Sequence, residues 1–308
     1  MAFTTTSNFA GKAAGFYIAQ SLKEAKSLDF LTMIENIKYK SNIQRMAGSS
    51  LVVDATCDFT DAGTLALTEK VLEPRNLQIN LDLCKSTLLD SWEALQMRAG
   101  AGAPPPVSFD DYVISYMGEI IAQATEDSIW NGAGATGDFQ GFMNTNGYLM
   151  PTGANADATV TQSAASGAYD ASNIIANLQT LVADIAANAP TILGKDDLYI
   201  YINNKTFSYY ISAISAFTGT PWGSLNTMGD YEPVFEGYKI AVCPGMLDNS
   251  AIAAQKSNLY YGTDLLSDAT RITLMDMAAL DGSDNMRLVA RYSGGVQTGV
   301  GADIVRQS

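Results

Sequence analysis

At 308 residues, 47% hydrophobic and 16% charged, the chain suits one large globular domain or two to three smaller units with a sizeable core, and its composition excludes a disordered polypeptide. Its net charge of −14 is uneven: residues 1–45 hold six basic and three acidic groups (net +3), the other 263 hold twelve and 29 (net −17), so the body repels nucleic-acid phosphates. Histidine is absent, which removes Ser-His-Asp triads, Cys-His dyads and His-ligated metals in one step.

The start, "MAFTTTSNFAGKAAGF", has no basic stretch leading into an apolar one, which argues against a secretory signal, and no run of about 18 apolar residues predicts a membrane span. The basic segment up to Arg45 reads either as an arm lying on an acidic surface of a neighbouring copy or as a solvated amphipathic helix. Cys57, Cys84 and Cys243 are too widely spaced for a disulfide framework or a zinc pattern and suit a reducing compartment.

"LVVDATCDFT" and "TLALTEKVL" read as strands around the turn Asp61-Ala62-Gly63. After Pro74, Leu77, Ile79, Leu81 and Leu83 alternate with Asn76, Gln78, Asn80 and Asp82, the period of a half-buried strand. Residues 46–83 therefore predict a long projecting hairpin. A two-stranded ribbon is marginal in water, so its apolar face needs another surface, and the flanking sequence leaves little to supply one.

Beyond Pro104-Pro105-Pro106, Phe109, Tyr112, Val113, Tyr116, Met117, Ile120, Ile121 and Ala124 repeat at helical spacing. Ser108 as N-cap, with Asp111 as its capping-box partner, and Asn131-Gly132 as the stop bound a helix of roughly 35 Å at about 1.5 Å per residue. Gly132, Gly134 and Gly137 then match G-x-G-x-x-G, the spacing of a dinucleotide loop. That motif must open a helix, whose N-terminus attracts phosphate. These glycines follow a helix, where carbonyl oxygens and the negative end of the dipole repel it. The dinucleotide reading fails.

Downstream, Ile174, Ile175, Leu178, Leu181, Val182 and Ile185 mark a helix ended by Pro190, "DLYIYIN" a strand, "KTFSYYISAIS" a helix, and "GYKIAVCPGM" and "NLYYG" two strands. They predict a compact α/β unit over about 166–265. "RITLM", the turn "DGSDN" at 281–285, "MRLVARYSGG" and "TGVGADIVRQS" close the chain with strands. "DGSDN" lacks the twelve-residue loop and distal Glu of a calcium site and reads as an ordinary turn.

The order of these elements resembles the major capsid protein of tailed bacteriophages, the Hong Kong ninety-seven fold. "IAQATEDSIWNGAGATGDFQGFM" is similar to the end of that family's spine helix: an acidic residue (Glu126), an apolar pair (Ile129, Trp130), Asn131-Gly132, further glycines (Gly134, Gly137) and Gly141-Phe142-Met143. "FEGYKIAVCPGM" with "NLYYGTDL", and "RLVARYSGGVQTGVGADIV", resemble its later strands and closing segment. The resemblance implies an α+β fold: an N-terminal arm (1–27), the start of a peripheral domain (28–45), an E-loop hairpin (46–83), the peripheral domain with a spine helix near 108–131 (84–165), an axial domain (166–265), peripheral strands (266–293) and a final segment returning to the axial domain (294–308).

It further implies a non-enzymatic virion protein, assembled in the host bacterial cytoplasm into pentamers and hexamers of an icosahedral head. The head encloses double-stranded DNA without gripping it, and no cofactor is needed. Scaffolding, portal and decoration proteins are the expected partners. Assembly contacts are expected at Leu77, Ile79, Leu81 and Leu83 of the hairpin, at an axial tip with Phe217, Pro221 and Trp222, and at the turn with Asp281, Asp284 and Asn285. Trp222 reads equally as core. Gly132, Gly134 and Gly137 serve the chain reversal after the spine helix. Encapsulins share this fold and enclose cargo enzymes, which keeps a nanocompartment shell as an alternative. A ligand-binding enzyme built on 166–265 is a third reading, against which stands the lack of a glycine-rich strand-to-helix turn there.

Some members of the family crosslink subunits through a hairpin Lys and a peripheral Asn with a nearby Glu. Here the hairpin has one lysine, Lys70, and residues 266–308 contain Asn285 but no Glu. Assembled shells heated in detergent are therefore expected to run as single subunits, and a ladder of covalent multimers would contradict this.

Overall fold

The computed structural model describes residues 25–49, 52–55, 57, 63–84, 107–215, 233–264, 272–278, 280, 282–283 and 285–308. Two sheets, three α-helices and a separate ribbon organise them. Strands β1 (Thr32–Ile34), β2 (Ser41–Ser49), β3 (Thr64–Leu72) and β4 (Arg75–Cys84) precede helix α1 (Val107–Asn131). Then come β5 (Thr161–Ser163), α2 (Ile174–Asn188), β6 (Leu198–Ile202), α3 (Asn204–Ser215), β7 (Val234–Phe235), β8 (Tyr238–Val242), β9 (Ala251–Gln255), β10 (Leu259–Gly262), β11 (Ile272–Asp276), β12 (Asn285–Thr298) and β13 (Val305–Gln307).

The axial sheet has the order β5-β13-β9-β6-β8-β7. Both its faces are covered, and β6 shows how. Leu198, Ile200 and Ile202 join Ile174, Leu178, Leu181 and Ile185 of α2 in one core, while Tyr201 turns to a second core with Ile129, Trp130, Phe142 and Met143. A strand buried on both faces reads as a continuous apolar run, which "LYIYI" is. Burial pushes the Tyr201 hydroxyl well above its usual pKa, and it donates to the Phe30 carbonyl at 2.8 Å.

The second sheet is built on β12, whose fourteen residues serve two neighbourhoods. Its first part pairs with β11 and β4, and its last four residues pair with β10, which in turn pairs with β1. Leu83, Met286 and Leu288 form a small core there, with Ile79, Leu81, Leu274 and Met117 packed against it.

This sheet revises the expected hairpin. β4 runs antiparallel to β12 along its whole length, Arg75 opposite Gly294 through Cys84 opposite Asn285, and the partner of β3 is β2. The paired strands of the ribbon are therefore residues 41–49 and 64–72, not a hairpin over 46–83. Leu77 and Leu83 are buried within the chain, so the alternation in β4 found an internal face rather than an outward one. Residues 52–55, expected to be extended strand, carry no regular structure, and "NLYYG" belongs to the β12 sheet rather than to the axial one. Ser108, expected just outside the helix, lies inside α1.

Leu288 is fully buried, whereas Leu65 and Leu67 of the ribbon are 60% and 62% exposed. Leu288→Ala is expected to destabilise the unassembled chain by about 3 kcal/mol, and Leu65→Ala and Leu67→Ala by no more than about 0.5 kcal/mol each. Denaturant midpoints of the three variants check this contrast.

Candidate assembly interface

In the ribbon, Met46 stands opposite Leu67, Gly48 opposite Leu65 and Asn42 opposite Val71. Residues two apart on a strand share a face, so Met46, Leu65, Leu67 and Val71 line one side together. Met46 is 67% exposed and Val71 39%, so the whole stripe faces solvent in the single chain. The opposite face carries Ile43, Lys70 and Leu72, the last of which meets the body at the root. Leu72 is fully buried, so close to Gly262 that an added Cβ there would lie 2.7 Å from its Cδ2. The Gln297 amide donates to the Val71 carbonyl at 2.9 Å, and Lys70 Nζ meets Asp157 Oδ2 at 2.5 Å and Thr298 Oγ1 at 3.0 Å.

Among the described side chains of α1, those at its end are the best buried. Tyr116, Met117, Ile120 and Ile121 are half-buried, while Glu126, Ile129 and Trp130 are fully enclosed. Glu126 accepts from the Ser27 amide at 3.0 Å, the Ser27 hydroxyl at 2.6 Å and the Gly245 amide at 3.0 Å. Trp130 Nε1 donates to the Ser27 hydroxyl at 2.6 Å, and the Asn131 amide donates to the Gly245 carbonyl at 2.6 Å. One buried carboxylate thus ties α1 to the segment before β1 and to the turn after β8. The neighbouring Cys243 thiol is pushed up by burial, against a hydrogen bond with Ser27. Glu126 was legible as the acidic position of the spine-helix pattern. Ser27, 99 residues away, had no sequence signal pointing to it.

The glycine loop folds back onto the helix. The amides of Gly141, Phe142 and Met143 donate to the carbonyls of Gly132, Ile129 and Trp130, and the Asn144 side chain donates to the Asn131 carbonyl. The helix-end carbonyls of Ile129, Trp130 and Asn131, which would otherwise lack partners, are each satisfied from 13 residues downstream. Gly134 and Gly137 adopt φ of +67° and +93°, the left-handed region that favours glycine. Gly132 is needed for a different reason: an added Cβ would sit 1.9 Å from the Phe139 carbonyl oxygen. Asp138 accepts from the amides of Ala133 and Ala135 and closes the loop. The amides of Gly132, Ala133 and Ala135 are spent on the protein itself.

Phe217, Pro221, Trp222, Asp281 and Asp284 lie outside the described residues. Asn285 opens β12 opposite Cys84. Among the described residues, no three His, Cys, Asp or Glu side chains are grouped to hold a metal, and no helix is long and apolar enough to cross a membrane.

No protein-family model matches the sequence, and no curated protein matches it. Solved structures do match, over nearly the whole chain. The capsid of Myoviridae phage XM1 superposes with a TM-score of 0.63 at 9% identity, covering 99% of this chain and 98% of that one. The capsid of a native GTA particle gives 0.60 at 14% identity, covering 100% and 95%, and Gordonia phage Cozz gives 0.59 at 10%, covering 98% and 91%. The chain has the phage capsid fold. This is the α+β architecture that the spine-helix segment and the order of elements led us to expect, and it extends over the whole capsid chain of XM1.

Within the capsid fold, Glu126 and Gly132 are expected to be sensitive to small changes. Glu126→Ala strands the buried amides of Ser27 and Gly245 and is expected to cost about 3 kcal/mol, and Glu126→Gln, which keeps an acceptor, about half of that. Gly132→Ala drives a methyl into the Phe139 carbonyl and is expected to cost at least about 3 kcal/mol. Denaturant unfolding of the three variants reads both effects.

Proposed function

We propose that this chain is a major capsid subunit that assembles into pentamers and hexamers of a closed shell around double-stranded DNA. The observation that carries the reading is the ribbon: a fold shared along its length with phage capsid chains presents Met46, Leu65, Leu67 and Val71 on one uncovered face. A second copy supplies the surface that face requires, and heterologous contacts of this kind close into rings. The role expected of Leu77, Ile79, Leu81 and Leu83 passes to these four residues, because β4 already has its partner in the chain. The tip around Phe217, Pro221 and Trp222 and the turn with Asp281, Asp284 and Asn285 remain proposed contacts between symmetry mates.

The charge supports the proposed content of the shell. A body at net −17 beyond residue 45 offers packaged DNA a wall that does not hold it. Scaffolding, portal and decoration proteins are the proposed partners, and assembly is proposed to occur in the host bacterial cytoplasm. A nanocompartment shell would use the same contacts around a protein cargo, and the contents of purified particles separate the two.

The test is electron microscopy with light scattering on the protein expressed with its neighbouring head genes. Closed shells, or rings of five or six subunits, are expected, with DNA protected from nuclease in filled particles. Leu65→Asp with Leu67→Asp is expected to abolish assembly while leaving the circular dichroism of the subunit unchanged. A monomer or dimer under every condition, stabilised thermally by a nucleotide or sugar, would overturn the shell and favour a ligand-binding enzyme.

A further inference from the structure

Arg306 is a cation enclosed without a counter-charge. It stands in β13 between β5 and β9, and alternation along the strand sets its direction. Val305 joins the core under α2, and Gln307 donates to the Asn177 carbonyl of α2 at 3.1 Å, so Arg306 points to the other face of the axial sheet. Only 7% of the residue is exposed. Its Nη1 donates to Gln162 Oε1 at 2.9 Å, and its Nε is buried with no partner. Among the described residues no carboxylate pairs with it. Burial pushes the guanidinium below its ordinary pKa, and the Tyr169 hydroxyl only partly opposes this. Arginine nevertheless stays charged in a protein, and a buried charge is costly unless hydrogen bonds and a counter-ion offset the loss of water. Here one neutral side-chain amide offsets part of it.

The missing counter-charge has a way in. β5 begins the strand order of the axial sheet, so its outer edge is open among the described residues. The Thr161 amide donates to the Ile304 carbonyl, so by alternation Gln162 turns its own amide and carbonyl away from β13, towards that edge. Gln162 is exposed, and its side-chain amide donates to the Leu149 and Val160 carbonyls, which fixes its oxygen against Arg306. Ala164, Ser166, Gly167 and Ala168 follow, exposed and small, so no large side chain of this segment guards the approach.

We propose that the β5 edge is a contact between copies, in which a carboxylate of a second copy pairs with Arg306. The charge fits: beyond residue 45 each copy carries 29 acidic groups against twelve basic ones, so a second copy brings carboxylates to the edge it meets. The backbone of Gln162 and the guanidinium of Arg306 receive the neighbour together, one through an open strand edge and the other through a charge-assisted hydrogen bond. This contact rests on the shell reading, and it is separate from the apolar stripe of the ribbon.

The test uses the full-length chain before and after assembly, with Arg306→Leu, which removes the charge and keeps the bulk, and Arg306→Lys, which keeps the charge. In the unassembled subunit, the urea midpoint of Arg306→Leu is expected to equal or exceed that of the parent, because an unpaired buried cation is exchanged for an apolar side chain. The concentration for half-assembly, read by light scattering, is expected to rise about tenfold in Arg306→Leu and less in Arg306→Lys. Particles of Arg306→Lys grown from a mixture of heavy-nitrogen-labelled and unlabelled copies are then treated with a carbodiimide. The reagent activates a carboxylate, the introduced amine attacks it, and an amide forms as the urea by-product leaves. Mass spectrometry is expected to show crosslinked peptides from position 306 that join a heavy copy to a light one. A lowered midpoint of the free Arg306→Leu subunit would overturn the contact, since the guanidinium would then serve the single chain. Unchanged assembly of Arg306→Leu, or no crosslink from position 306 between copies, would also overturn it. A parent that forms no particles sinks the shell reading and this contact with it, whereas particles that form equally well without the arginine sink the contact alone.

Discussion

Glu126 has no contact with solvent, and its two oxygens accept from two other segments of the chain. A carboxylate taken out of water costs several kcal/mol unless hydrogen bonds replace its hydration. Ser27 and Gly245 provide that replacement, and they can do so only where the segment before β1 and the turn after β8 meet the last turns of α1 together. Trp130, one helical turn on, donates to the same Ser27 hydroxyl and buries its ring against Phe142 and Tyr201. The junction between the axial sheet and the helix is thus specified by polar geometry, with an apolar core around it. Gly245 belongs to the same constraint, since an added Cβ would lie 2.4 Å from the Glu126 carbonyl oxygen.

Against a body built in this way, the ribbon is a part that does not satisfy itself. The ribbon pairs its backbone between β2 and β3 and leaves a stripe of four large apolar side chains uncovered. Such a stripe is ordinarily a liability, because exposed apolar surface drives unspecific association. Here it is confined to a projection with a buried root, and it stands clear of the chain's own cores. The proposed assembly through it would remove apolar area from water without asking the body to rearrange.

How much of this was legible depended on how local the signal was. The stripe from Phe109 to Ala124 predicted a helix that α1 bears out within a residue, and Leu178 with Leu181 and Ile185 did the same for α2. Alternation found β4 but not its partner: β12 lies some 200 residues later, and no local pattern encodes which strand a strand will pair with. β2 was missed because Ser41, Asn42 and Gly48 have poor strand propensity, and pairing with β3 overrides it. β9 was missed because "AIAAQ" is largely alanine, which forms a strand here only through burial between β13 and β6. The glycine loop, expected to reverse the chain, folds back onto α1 with Gly132 placed by close packing and Gly134 and Gly137 at positive φ.

Whether another copy covers the ribbon's open face is reported directly by Met46. Its thioether is exposed in the single chain, so brief oxidation read by mass spectrometry measures its access to solvent. The account predicts that sulfoxide formation at Met46 falls about tenfold on assembly, while fully enclosed Met143 stays unreactive in both states. Equal oxidation of Met46 in free subunits and closed shells would contradict it.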